Sequence, residues 1–185
     1  GFKGDIHRIE KDVNGRFLVL GAEVGVVHCT LATVYGPNND NTNTFEALLN
    51  AIDDFSFGKT ILGGDFNFFF DKNLDKVSGG RRVVNNDRCR QIVQSYATSD
   101  GLTDIWRKLN PATRKYTYER KNPVTKSRID FFLVDESFLH TINKPKADIK
   151  DAYLADHKMS TLERDLGQIV ACKSYWKFNC SLLED

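Results

Sequence analysis

The sequence predicts an α/β or α+β layered fold with a mixed sheet, on three observations. Two β-rich runs, residues 16–24 and 26–35, are separated by Gly25 and read as a hairpin. Two stretches carry apolar residues at helical spacing, Phe45/Leu48/Leu49/Ile52 and Cys89/Ile92/Val93/Tyr96. Short apolar runs lie between and after them, at residues 60–62 and 128–134.

Taken in order, Gly36-Pro37-Asn38-Asn39-Asp40 closes the hairpin as a loop by its turn residues. The first helix then begins with Thr44 as its candidate N-cap. Thr60-Ile61-Leu62 reads as a buried strand that stops at Gly63-Gly64. Residues 71–87 are polar and contain glycine, which predicts a long surface loop. Gly101 ends the second helix. Residues 116–119 and 128–134 read as two strands of a hairpin whose polar connection is 120–127. Two further short strands are expected at 149–151 and 159–162, and a tail from 167 onward. There is no internal repeat and no low-complexity tract.

Composition sets outer limits. A chain of 185 residues fits one domain, or one domain with tails, and 41% apolar residues with 13 phenylalanines can fill a core. A charged fraction of 28% excludes global disorder, and a net charge of +1 names no partner. The charge is uneven. Between Gly101 and Asp130 eight Lys or Arg face three acids, an excess that suits a polyanion or a solvated basic face. Cys29, Cys89, Cys172 and Cys180 lack zinc-ligand spacing, so a reducing intracellular compartment is expected. No apolar run approaches the roughly 20 residues of a membrane span. The chain has no initiator Met and no signal-peptide core.

Four short motifs carry chemistry. In Gly63-Gly64-Asp65-Phe66-Asn67 a carboxylate follows an apolar strand and an amide sits two residues later. Continued extended backbone would point both side chains into one cleft; an Asx turn is the structural alternative. Asp130 lies inside the apolar run Ile129–Val134, where a carboxylate needs a partner: a nearby arginine, or a histidine whose ring N–H it accepts. Among four histidines, only His157 stands beside an acid, Asp156, between two expected strands. Tyr35 places a phenol at a strand end. Hard oxygen donors with one imidazole suit Mg²⁺ and a water nucleophile better than zinc. Phosphodiester hydrolysis needs such a set.

The order Tyr35-Gly-Pro-Asn, Gly64-Asp65-Phe66-Asn67, Tyr116-Thr117-Tyr118, Ser127-Arg128-Ile129-Asp130-Phe131 and Asp156-His157 resembles the endonuclease/exonuclease/phosphatase superfamily. More narrowly, it is similar to the apurinic-type endonuclease domain of LINE-type non-LTR retrotransposons. The stretch Tyr175-Trp176-Lys177-Phe178-Asn179 resembles the segment leading to a reverse transcriptase in such polyproteins. The resemblance implies a four-layer α/β sandwich of the DNase I type, two stacked mixed sheets flanked by helices, incomplete at its N-terminus. Residues 1–166 would form this domain and 167–185 a linker. The implied activity is nicking of double-stranded DNA with Mg²⁺ or Mn²⁺, in the nucleus and with no membrane.

By the same resemblance Tyr35 and Asn67 would contact the scissile phosphate. Asp65 would serve the attacking water or the leaving group. Asp130 would hold His157, which would polarise the phosphate, and Asp156 would assist the metal. Thr117, Arg120, Lys121, Lys126 and Arg128 would face DNA. Two departures are implied: Ala155 stands where Ser is common, and the segment bearing the family's metal-binding Glu has no counterpart. The fragment is therefore expected to lack activity alone. An apurinic-repair nuclease or phosphatase of the same fold, and a non-catalytic DNA-binding remnant, remain the alternatives.

Overall fold

The computed structural model describes residues 4–79, 85–140, 145–152 and 156–163. Ala155 and the tail from 167 lie outside them. The expected hairpin is present and is preceded by a further strand. β1 (Asp5–Lys11) pairs antiparallel with β2 (Phe17–Val24), which pairs with β3 (Val27–Tyr35) across a turn at Gly25, φ 67°. β1 escaped sequence reading because it is an edge strand with almost no buried residue; without a buried face there is no alternation to read.

α1 (Asn43–Phe55) starts two residues earlier than expected, with Thr42 at the N-cap. The Asn43 N–H donates instead to Asn41 Oδ1 at 3.0 Å. β4 (Lys59–Asp65) then runs parallel to β3. The loop expected over 71–87 contains a short strand, β5 (Lys76–Ser78). After it come α2 (Asp87–Ser99), β6 (Leu102–Asp104) and α3 (Ile105–Leu109).

The second expected hairpin is built differently. β7 (Tyr118–Lys121) pairs with β8 (Val124–Ser127) across a tight turn at Asn122-Pro123, inside what read as a connection. The chain then changes sheet at Arg128-Ile129, and β9 (Asp130–Asp135) pairs with β4 and β6. β10 (Lys146–Lys150) and β11 (Met159–Glu163) form the last hairpin.

The main sheet has six strands in the order β1-β2-β3-β4-β9-β6. Strand alternation separates its faces. Val19, Ala32, Val34, Leu62, Phe131 and Leu133 point to one side, where Phe45, Leu48 and Ile52 of α1 and Cys89 and Val93 of α2 close the core. Ile61, Phe132 and Val134 point to the other, against Ile105 of α3, Ala147 and Leu162. A three-stranded sheet, β5-β8-β7, completes the layers. No helix among the described residues is long and apolar enough to cross a membrane.

Gly63 and Gly64 are explained by packing. The Phe132 ring lies where a Gly63 Cβ would stand, and the Val34 carbonyl occupies the same place at Gly64, whose φ is 150°. Both glycines thus serve close approach within the protein, of a side chain at Gly63 and of another backbone at Gly64.

Candidate active site

The sheet register alone assembles most of the site. Tyr35 pairs with Asp65 across β3 and β4, and Asp65 pairs with Asp130 across β4 and β9. Directly paired residues project from the same face. Asp65 shares its side of β4 with Ile61, and Asp130 its side of β9 with Phe132 and Val134, so both face away from α1 and α2. Tyr35, Asp65 and Asp130 thus form one row at one end of the sheet. Two carboxylates directly opposite each other repel, and a third group must balance them.

His157 is that group. Its Nδ1 lies 3.2 and 3.0 Å from the two oxygens of Asp130. Backbone bonds seat it from both sides: the Glu119 N–H donates to the Asp156 carbonyl at 3.2 Å and the Lys158 N–H to the Thr117 carbonyl at 2.6 Å. The Tyr118 ring is 5.0 Å away, and Ser160 donates its hydroxyl to the Asp130 carbonyl at 2.8 Å. The histidine alternative for Asp130 is therefore the one realised. Donor atoms of Asp65, Asp130 and His157 lie within 4.8 Å of one another, the only such group of potential metal ligands among the described residues.

The electrostatics follow. Burial, then the facing Asp130 charge, pushes Asp65 up to about 6. The Asp130 hydrogen bond raises His157 above the usual imidazole value against its own burial, with Asp65 and Asp156 adding to the shift. The native state holds the Asp65 proton more tightly than the unfolded chain. Stability owed to this group is therefore intact below the ordinary carboxylate range and declines as pH rises toward 6. Asp65→Asn should match wild type near pH 4 and exceed it by on the order of 2–3 kcal/mol at pH 8. Urea unfolding at the two pH values measures this; a pH-independent difference would contradict it.

Asn67 does not continue the strand. It adopts a left-handed φ of 53°, its N–H donates to Asp65 Oδ1 at 2.9 Å, and its Nδ2 donates to the Gly36 carbonyl at 2.8 Å. The Asx turn is therefore the alternative realised, and it bends the amide back toward the Tyr35 loop. Asn86, which no motif singled out, holds that arrangement: its buried amide donates to the carbonyls of Pro37 and Asn67, each at 3.0 Å. An Asn before a helix reads as an N-cap, and that reading conceals the bridge.

Several residues expected to face DNA do other work. Arg128 is fully buried and binds Asp75 at 2.8 and 3.0 Å and Asp104 at 2.6 Å, so it cannot reach a groove. Thr117 is also fully buried; its Oγ1 accepts the N–H groups of Ile129 and Asp130 at 3.0 and 3.1 Å. It sets the height of Asp130 instead of touching solvent. Thr117→Val should cost about 1–3 kcal/mol, because two buried donors lose their acceptor, while Thr117→Ser should recover most of it. Equal losses in both variants, measured by denaturant unfolding, would mean that the methyl group matters instead. Lys126 pairs with Glu119 at 2.8 Å. Arg120 and Lys121 are exposed on the β7–β8 hairpin, and Asp156 is exposed beside His157.

No family profile matches the chain. Solved structures do. An AP endonuclease from Archaeoglobus fulgidus superposes with TM-score 0.62 at 15% identity, over 88% of this chain and 72% of that one. A 3'-5' exonuclease from Neisseria meningitidis gives 0.60 at 20% identity and the same coverage. The chain has the endonuclease/exonuclease/phosphatase fold. The endonuclease domain of TRAS1, a telomere-specific non-LTR retrotransposon, shares that fold with TM-score 0.55 at 16% identity, over 86% of this chain and 68% of that one. By sequence, the chain is 29% identical over its whole length to an uncharacterized 149 kDa protein of transposon TX1 from Xenopus laevis. It spans 14% of that relative.

Proposed function

We propose that this chain is the greater part of a DNA-nicking endonuclease domain of a non-LTR retrotransposon protein, located in the nucleus and joined downstream to a reverse transcriptase. The convergence of Asp65, Asp130 and His157 in one row with Tyr35 carries the reading. The fold shared with the TRAS1 endonuclease domain and the likeness to the TX1 protein support it.

In this reading the phosphate sits over the row. His157, with Nδ1 turned to Asp130, offers Nε2 to a non-bridging oxygen, and the Asp130 hydrogen bond favours its protonated form. Asp65, poised near neutrality, takes a proton from the attacking water or gives one to the leaving oxygen. The Asn67 amide and the Tyr35 phenol orient the phosphate. A hard divalent cation suits oxygen donors at this site, with the exposed Asp156 beside His157 the residue that would help hold Mg²⁺ or Mn²⁺. Such an ion would supply charge neutralisation at the phosphate. Among the described residues no glutamate joins the group. Glu23 stands at the opposite end of β2, 3.4 Å from His28, and Glu10 is paired with Val19 on the helix-facing side of the sheet. Neither can serve as a replacement ligand, so the isolated chain should bind DNA and nick it poorly.

The test is relaxation of supercoiled plasmid by the longer natural protein, in Mg²⁺ and in EDTA, beside an apurinic duplex and a phosphoinositide. Mg²⁺-dependent nicking of intact plasmid is expected. Cleavage confined to the apurinic duplex would favour a repair nuclease; binding without cleavage would favour a DNA-binding remnant.

A further inference from the structure

Two loops meet at the end of the sheet that carries Tyr35 and Asp65, and hydrogen bonds zip them together. The Gly36 N–H donates to the Asp65 carbonyl at 2.6 Å, and the Asn67 side-chain amide donates to the Gly36 carbonyl at 2.8 Å. The bond that spans both loops comes from neither of them. It is the Asn86 amide, with one proton on the Pro37 carbonyl and one on the Asn67 carbonyl.

Asn86 stands at the N-cap of α2, yet its side chain makes no capping bond. The helix is capped from the Tyr35 loop instead: Asp40 accepts the N–H groups of Arg88 and Cys89 at 3.1 and 3.0 Å. The Asn86 side chain is thereby released from the role its position suggests and is turned, buried, into the joint between the loops. Asn67 needs such a hold. Its φ of 53° is left-handed, which costs a side-chain-bearing residue free energy and persists only where the surroundings fix it. A planar amide with both protons on carbonyls sets the distance and the angle between the loops at once. Gly36 cannot yield in compensation, because a Cβ there would stand 2.6 Å from the Phe66 carbonyl oxygen, so the backbones are already in contact.

We propose that Asn86 is a positioning residue of the nicking reaction: from the start of α2 it fixes Asn67 and the Tyr35 loop relative to Asp65, without touching DNA. The inference rests on the nuclease reading above. Misplacing a reacting group by about 1 Å costs up to about a hundredfold in rate. The loss falls on kcat, since DNA affinity comes from phosphate contacts elsewhere.

The experiment compares Asn86→Ser, Asn86→Ala and Val93→Ala with wild type in the longer natural protein, by nicking kinetics, thermal unfolding and hydrogen exchange of the segment around Asn67. Serine caps a helix as well as asparagine does, so Asn86→Ser keeps α2 but offers one donor in place of two. It should lower kcat about tenfold or more with KM within about twofold, and speed exchange around Asn67. Asn86→Ala should lose more; if it does not fold, the serine variant decides. Val93→Ala removes buried methyl groups from the same helix. It should lower the unfolding temperature at least as much as Asn86→Ser, yet keep wild-type kcat and wild-type exchange around Asn67. Wild-type kcat in Asn86→Ser, or an equal loss of kcat in Val93→Ala, would overturn the positioning role alone. Failure of the wild type to nick DNA would overturn the nuclease reading, and exchange around Asn67 would still show whether Asn86 holds that loop.

Discussion

In the proposed DNA-nicking endonuclease, replacing His157 with alanine should lower nicking by at least about two orders of magnitude, and Asp65→Ala should do the same, as expected for loss of an acid–base or charge-stabilising group. The expectation follows from the geometry. Asp130 engages the Nδ1 side of the imidazole and leaves Nε2 for the phosphate. The same hydrogen bond favours the protonated ring, so removing the ring takes away a donor and the charge it carries when protonated. Removing Asp65 takes away the other titratable group of the row. DNA affinity should change much less, because most of it comes from contacts to phosphates outside the row. Single-turnover nicking with a parallel binding titration measures both. Nicking that survives both substitutions would place the chemistry elsewhere on the molecule.

The largest loss of stability is expected at Asp75. This carboxylate is completely buried and binds two guanidinium groups, those of Arg128 and Arg107. Arg128 also binds Asp104, and its guanidinium lies 5.3 Å from the Trp106 ring and 5.4 Å from Phe131. A further bond runs from the Arg128 N–H to the Asp75 carbonyl at 2.9 Å. The cluster joins the segment before β5 to the start of α3 and the residue two before Asp130. Breaking a buried pair leaves an uncompensated charge and costs about 3–5 kcal/mol. Asp75→Ala should reach the top of that range because it leaves the fully buried Arg128 with Asp104 alone and weakens Arg107 as well. Arg128→Ala should cost less, since Asp75 keeps Arg107. The double variant should cost less than the sum, because each single change already pays for the other's isolation. Strictly additive losses in denaturant unfolding would contradict a shared network.

Some of this was legible in the sequence for definite reasons. The β2–β3 hairpin and both long helices carry a buried face, and a buried face imposes a period on the residues. Asp65, Asp130 and His157 were legible because polar groups beside apolar runs need a reason to be there, and their order resembles that of a known superfamily. β1 and β5 carried no such period, being exposed or very short. The β7–β8 hairpin hid inside a polar run because its strands are mostly exposed or half-buried.

What the sequence determined by itself is therefore the set of chemical groups and the α/β layering, since both follow from residue type and local period. Only the tertiary structure decided which cations are engaged inside the protein. Arg128 and Arg120 have the same side chain, yet one is folded among Asp75, Asp104 and Trp106 while the other is exposed on the β7–β8 hairpin. The partners of Arg128 stand far away along the chain, in strands and loops that meet only when the sheet forms. The register of β3, β4 and β9, set by long-range pairing, likewise decided that a phenol and two carboxylates share one row.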